Sequence, residues 1–229
     1  MIQKNKEEII NYPIPVPSPS ERGCGEAVVR LDNLGKRYNR EWIFRHFNYE
    51  FVQGKTYAIT GSNGSGKSTL LQVIAGAVLH SEGNIDFTNG KKEIANETIY
   101  QQLSFAAPYL ELIEEMNAVE FLNFHSTFKP LTESVEFILL EVGLAAAANK
   151  QIRYYSTGMK QRLKLAQAFF SKTNILLLDE PTTNLDAEGI VLYHHLINDY
   201  TKEKLVLVSS NDKHEYEFCT DLIDIADYK

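Results

Sequence analysis

Cysteine is almost missing from this chain: Cys24 and Cys219 are the only two among 229 residues. Two cysteines without metal-ligand spacing exclude a disulfide framework and a zinc module, and they read as reduced thiols in a reducing compartment. Long apolar runs are missing too. No stretch approaches the roughly 20 apolar residues that cross a bilayer. The start, with Lys4, Lys6, Glu7 and Glu8, is too charged for a signal peptide. An excess of positive charge is also lacking. With 23 Lys and Arg against 30 Asp and Glu, the formal charge is −7, the wrong sign for a nucleic-acid surface. There is no internal repeat. These absences predict a cytosolic chain that reaches a membrane only through a partner.

What is present suits one α/β domain with an inserted subdomain, since 44% hydrophobic residues can fill a sizeable core. Residues 1–25 read as an appendage in which Pro13, Pro15, Pro17 and Pro19 favour an extended segment. A flexible tail and a partner-docking arm both fit that composition.

The chain is organised around Gly61-Ser62-Asn63-Gly64-Ser65-Gly66-Lys67-Ser68-Thr69. This matches G-x-x-x-x-G-K-[ST], the phosphate-cradling loop known as Walker A. Residues 56–60 before it read as a buried strand, and residues 68–75 after it as a helix stopped by Gly76. A strand, a glycine-rich turn and a helix start place backbone N–H groups around one anion. Lys67 is expected to reach the β- and γ-phosphates of a nucleotide, and the Ser68 hydroxyl to ligate Mg²⁺. Residues 174–179 form an apolar run that ends in Asp179 and Glu180, as a central parallel strand would. Asp179 is expected to hold Mg²⁺, and Glu180 to orient the attacking water as base. Other expected strands cover residues 27–31, 47–51, 84–87, 103–105, 205–209 and 222–225, with a hairpin turn at Asn89-Gly90. Between them residues 109–155 read as helical. Asn117 and Glu120 have capping-box spacing, and Val135, Ile138, Leu139 and Val142 lie on one helical face ended by Gly143. Gly61, Asp179-Glu180 and Asn211 all fall at carboxyl ends of strands, so three segments converge on one ligand.

Ser156-Thr157-Gly158-Met159-Lys160-Gln161 resembles the signature motif of ATP-binding cassette (ABC) ATPases, in the form many exporter subunits carry. Pro181-Thr182-Thr183-Asn184-Leu185-Asp186 resembles the loop that follows the Walker B acids in that family. The motifs stand in family order across residues 27–226. The resemblance implies a P-loop core with a mainly parallel sheet, an antiparallel β part near the N-terminus and an inserted helical subdomain. It implies ATP and Mg²⁺ as cofactors and two subunits paired head-to-tail, most simply two copies of this chain. Ser156, Gly158 and Gln161 of one copy would meet the γ-phosphate held by the other, with Asp186 across the seam. Tyr38 matches the aromatic that stacks on adenine, with Trp42 as runner-up. Separate membrane-spanning permease subunits would hold the pair at the inner face of the membrane, and ATP hydrolysis would drive transport, by signature style export.

Two positions depart from the family. Ala107 or Pro108 stands where a glutamine that contacts Mg²⁺ is usual, and Gln101 and Gln102 lie too early to replace it. Asn211 stands where a histidine is usual; it can hydrogen-bond a phosphate or a water but cannot carry a proton. His214, one helical turn on, is poorly placed to substitute. These departures predict a working but slow ATPase. Three competing readings follow from the same residues: a regulatory module without turnover, a cassette protein acting on ribosomes or nucleic acid, and a small-molecule P-loop kinase. The acidic charge and single cassette disfavour the second, and the signature disfavours the third.

Overall fold

The structure, a computed structural model, describes residues 27–90 and 92–229; the expected N-terminal extension and Cys24 lie outside them. Along the chain, β1 (Ala27–Tyr38) and β2 (Glu41–Val52) form an antiparallel hairpin. Next, β3 (Thr56–Thr60) leads into α1 (Lys67–Ile74), and β4 (Glu82–Asn89) and β5 (Lys92–Ile94) return to the hairpin's sheet. After β6 (Leu103–Ala106) come α2 (Ala118–Ser126), α3 (Val135–Glu141) and α4 (Thr157–Phe170). The chain closes with β7 (Ile175–Asp179), α5 (Ala187–Tyr200), β8 (Leu205–Ser209), the single turn α6 (Lys213–Tyr216) and β9 (Asp221–Asp224).

The hairpin is longer than its alternation pattern predicts, because β1 continues past Leu31 to Tyr38. Asn33 and His46 adopt φ of 48° and 55° where the β1–β2 register shifts. Asparagine and histidine tolerate that left-handed region better than most residues, and here their side chains hold one another at 2.7 Å. The irregularity lets Phe44 and Phe47, three residues apart, both point into the core.

The second sheet is parallel throughout, in the order β6-β7-β8-β3-β9. Every residue of β7 and β8 is buried, which is why both read as continuous apolar runs. Alternate side chains serve two cores. Leu176, Leu178, Val206 and Val208 pack on α4 and α5, while Leu177 and Leu207 face α1 and the antiparallel sheet. Truncating a side chain such as Leu177 to alanine would cost about 2–5 kcal/mol.

The helical segment follows its local signals. Asn117 accepts from the Glu120 N–H, and the Glu120 carboxylate accepts from the Asn117 N–H, each at 2.9 Å, so α2 starts at a complete capping box. Ser134 caps α3, whose Val135, Ile138 and Leu139 turn inward together with Val142. Register then sets the site. Ile59 of β3 pairs with Ser209 of β8, and Ser209 pairs with Asp179 of β7. At about 4.8 Å per strand, the ends of β3 and β7 stand about 10 Å apart on the carboxyl edge of the sheet, where open α/β folds bind ligands.

Candidate nucleotide site

The glycine-rich turn between β3 and α1 needs its glycines for two reasons. Gly61 and Gly66 have φ of 138° and 109°, and neither has room for a side chain. A Cβ on Gly61 would lie 2.9 Å from both Ile225 Cγ2 and Ser65 Oγ, and one on Gly66 only 2.3 Å from Ile43 Cγ2. Ile43 belongs to β2, so the β1–β2 hairpin crosses directly over the turn. The first N–H groups of α1 have no intrahelical partners and carry the positive end of its dipole. Lys67 is 5% exposed, and its Nζ donates to the carbonyls of Gly61 and Ser62 at 2.9 and 3.2 Å. Ser62, Asn63 and Gly64 are exposed at the tip; Ser68 and Thr69, half-buried, open the helix.

Across the sheet edge, Asp179 is 1% exposed and neither carboxylate oxygen has a hydrogen-bond partner; the buried hydroxyls of Ser65 and Ser209 have none either. A buried acid left unpaired is costly, and a carboxylate without a protein partner is the oxygen ligand a hard cation such as Mg²⁺ takes, so Asp179 fits the metal. Glu180 follows with an exposed side chain and φ of 43°, and its N–H donates to Ser209 O at 2.9 Å. Asn211 reaches the phosphate loop, where its Nδ2 donates to Asn63 Oδ1. The structure thus brings the loop, Asp179, Glu180 and Asn211 to one edge.

The place that lacks the usual glutamine is filled differently. Pro108 is an anchor, its carbonyl accepting from Lys164 Nζ at 2.5 Å. The next residue, Tyr109, turns its phenol toward Gln72 of α1 and toward Asp179. The residue is 46% exposed; desolvation of its covered part raises its pKa, Gln72 lowers it, and Asp179 raises it again. No local pattern marks Tyr109, because its relation to α1 and β7 exists only once the sheet has formed.

Tyr38 ends β1 and is 47% exposed, with Lys36 Nζ 4.6 Å from its ring centre. Trp42 is covered instead, with the Arg37 and Arg45 guanidinium groups 5.5 and 4.5 Å from its ring. Tyr38 is the more exposed aromatic at the hairpin end.

The signature residues lie at the start of α4. Ser156 caps α4 by accepting from the Met159 N–H. Ser156, Gly158, Arg162, Asn184 and Asp186 line a cavity of about 380 Å³. Asp186 caps α5 through the Gly189 N–H at 2.8 Å and pairs with Arg162 at 2.9 Å; the Gly189 bond first, then Arg162, holds its pKa down. Gln161 departs from expectation. It is 1% exposed and donates to Pro181 O at 2.8 Å, so it braces the loop after β7 from inside.

Fold and site together define a P-loop nucleotide-binding protein, and comparison with known proteins narrows the class. The chain matches the family described as "ABC transporter" over residues 44–183. It is 30% identical over 207 residues to the uncharacterized ABC transporter ATP-binding protein YybJ of Bacillus subtilis, covering 87% of this chain and 91% of that one. It is also 30% identical over 198 residues to the lantibiotic transport ATP-binding protein SrtF of Streptococcus pyogenes, covering 86% and 85%. Bacitracin transport ATP-binding protein BcrA of Bacillus licheniformis is 29% identical, covering 86% of this chain and 66% of that one. The fold superposes on an ABC transporter ATP-binding protein from Pyrococcus furiosus with a TM-score of 0.75 at 18% identity, covering 88% of this chain and 99% of that one. The chain belongs to the ABC transporter family, as an ATP-binding subunit.

Proposed function

We propose that this chain hydrolyses ATP as a cytoplasmic, peripheral subunit of an exporter. The observation that carries the reading is Asp179, a buried carboxylate with no protein partner at the strand end beside the glycine-rich turn. ATP binds with its phosphates against Lys67 and the first N–H groups of α1; Ser68 and Asp179 would hold Mg²⁺, which would supply neutralisation of phosphate charge. Glu180 takes the proton of the attacking water and Asn211 fixes that water or the γ-phosphate by hydrogen bonding. Because Asn211 cannot hold a proton, proton acceptance rests on Glu180 alone.

Two copies pair head-to-tail, so that Ser156 and Gly158 of one copy close over the nucleotide of the other. The surface cavity at the start of α4, lined by Ser156 and Gly158, supports this pairing. Residues 26–229 form the ATPase domain, with residues 109–155 as its inserted helical subdomain. Exposed aromatics there, Tyr109, Phe124, Phe128 and Tyr154, suit a short helix of a permease subunit. Among the described residues no helix is long and apolar enough to cross a membrane, so permease subunits supply the spans. Relatives named for lantibiotic and bacitracin transport support the export reading.

The test is phosphate release by the purified chain, alone and in complex with its permease. Mg²⁺-dependent turnover that the permease accelerates is expected. ATP binding without phosphate release in either form would leave a nucleotide-operated switch and overturn the hydrolytic reading. Stacking is tested separately. Tyr38→Ala should weaken ATP binding by about tenfold, the lower part of the 1–3 kcal/mol range for base stacking, whereas Trp42→Ala should change it little. Fluorescent-nucleotide titration checks both.

A further inference from the structure

The backbone at Glu180 is strained. With φ of 43° it occupies the left-handed region that glycine adopts freely and a long side chain adopts only at a cost. Such a conformation persists where the surroundings over-determine it. On one side the Glu180 N–H is tied to Ser209 O of β8 at 2.9 Å. On the other side Pro181 has no N–H to offer, so the first amide that can anchor the chain is that of Thr182. That amide donates to the Glu215 carboxylate at 2.7 Å, and the Thr182 hydroxyl donates to the same oxygen.

Glu215 is 3% exposed and sits on α6, the single turn that follows Asn211 and Asp212. Its own carbonyl accepts from the hydroxyl of Tyr193, a fully buried side chain of α5, at 2.6 Å. A buried carboxyl needs hydrogen bonds to be tolerated; Thr182, two positions after the acid assigned to hydrolysis, supplies two of them, and the Ser210 side chain bonds the carboxyl as well. The segment that carries Glu215 is also the one that Asn211 tethers to Asn63 of the phosphate loop.

We propose that Glu215 is a positioning residue for hydrolysis: by holding Thr182 it keeps Glu180 in its left-handed conformation and couples it to the phosphate loop through the Asn211 segment. The proposal rests on the reading of Glu180 as the hydrolytic base. Without the Glu215 anchor, Glu180 relaxes to negative φ and its carboxylate swings off line. Lys67 and the helix start, which hold the phosphates, are untouched.

Three variants of the full chain in complex with its permease test this. Glu215→Gln keeps an oxygen that accepts both Thr182 bonds; Glu215→Leu keeps the volume and removes the acceptor. Glu215→Asp keeps the charge but withdraws it by one methylene, which guards against misfolding in the leucine variant. Misplacement by about 1 Å costs about 100-fold in rate. Glu215→Leu and Glu215→Asp are therefore expected to lose about 10- to 100-fold in kcat with KM and ATP affinity nearly unchanged, and Glu215→Gln to stay near wild type. Hydrogen exchange at the Thr182 amide, followed without turnover, should accelerate in the leucine and aspartate variants only. Wild-type kcat in both of those variants, or kcat falling only in step with thermal stability and ATP affinity, would overturn the proposal. Unchanged Thr182 protection would do the same. An inert wild type whose Thr182 protection is still lost in Glu215→Leu would instead overturn the hydrolytic reading, and the catalytic role of Glu215 with it.

Discussion

Glu180→Gln should lower phosphate release by about 10²–10⁴-fold, the usual contribution of a positioned base, while ATP affinity stays at the wild-type level. Glutamine keeps the length of the side chain and the backbone N–H that ties residue 180 to Ser209. It loses only the capacity to accept a proton. Asp179 and Lys67, buried at the same edge, go on holding metal and phosphate. ATP then persists, and the proposed two-copy form should accumulate, visible as an earlier peak in size-exclusion chromatography with MgATP. Equal phosphate release by wild type and variant would remove Glu180 from the chemistry. A lowered rate without the earlier peak would keep Glu180 but cast out the head-to-tail pair.

Gly66→Ala should abolish useful nucleotide binding, for reasons that can be separated. The new methyl would stand 2.3 Å from Ile43 Cγ2, far inside contact distance, and alanine at φ of 109° is strained even in open space. The backbone strain alone is worth about 1–3 kcal/mol, and the collision raises the total to about 3 kcal/mol or more, hence about 100-fold weaker ATP binding. Adding Ile43→Ala removes the collision and leaves the strain, so the double variant should recover only about tenfold of the loss. Calorimetric titration with MgATP measures all three chains. Full recovery in the double variant would mean that crowding by β2, and not the dihedral angle, is what reserves this position for glycine.

Much of this site could be read before any coordinates existed. The glycine spacing from Gly61 to Lys67, the unbroken apolar run up to Asp179 and the Asn117–Glu120 cap are local patterns, and local physics places them correctly. The first strand could not be followed past Leu31 because Asn33 and His46 interrupt the alternation with left-handed residues that only the facing strand stabilises. Gln161 looked like part of the signature surface; helical periodicity turns it inward, onto Pro181 O. Tyr109 and Glu215 were invisible for a different reason. Each acts on residues 30 or more positions away, Asp179 and Gln72 for one and Thr182 for the other, and no motif spacing encodes such a meeting. Where the familiar glutamine is absent the sequence suggests a gap, whereas the fold puts a phenol there.

The Asp186 carboxylate has a mechanical consequence. One oxygen accepts both from the Gly189 N–H at the start of α5 and from Arg162 near the start of α4, so the two helix starts share one acceptor. In the head-to-tail pair proposed above, that shared acceptor would link the Ser156 edge of the facing surface to its Asn184 edge.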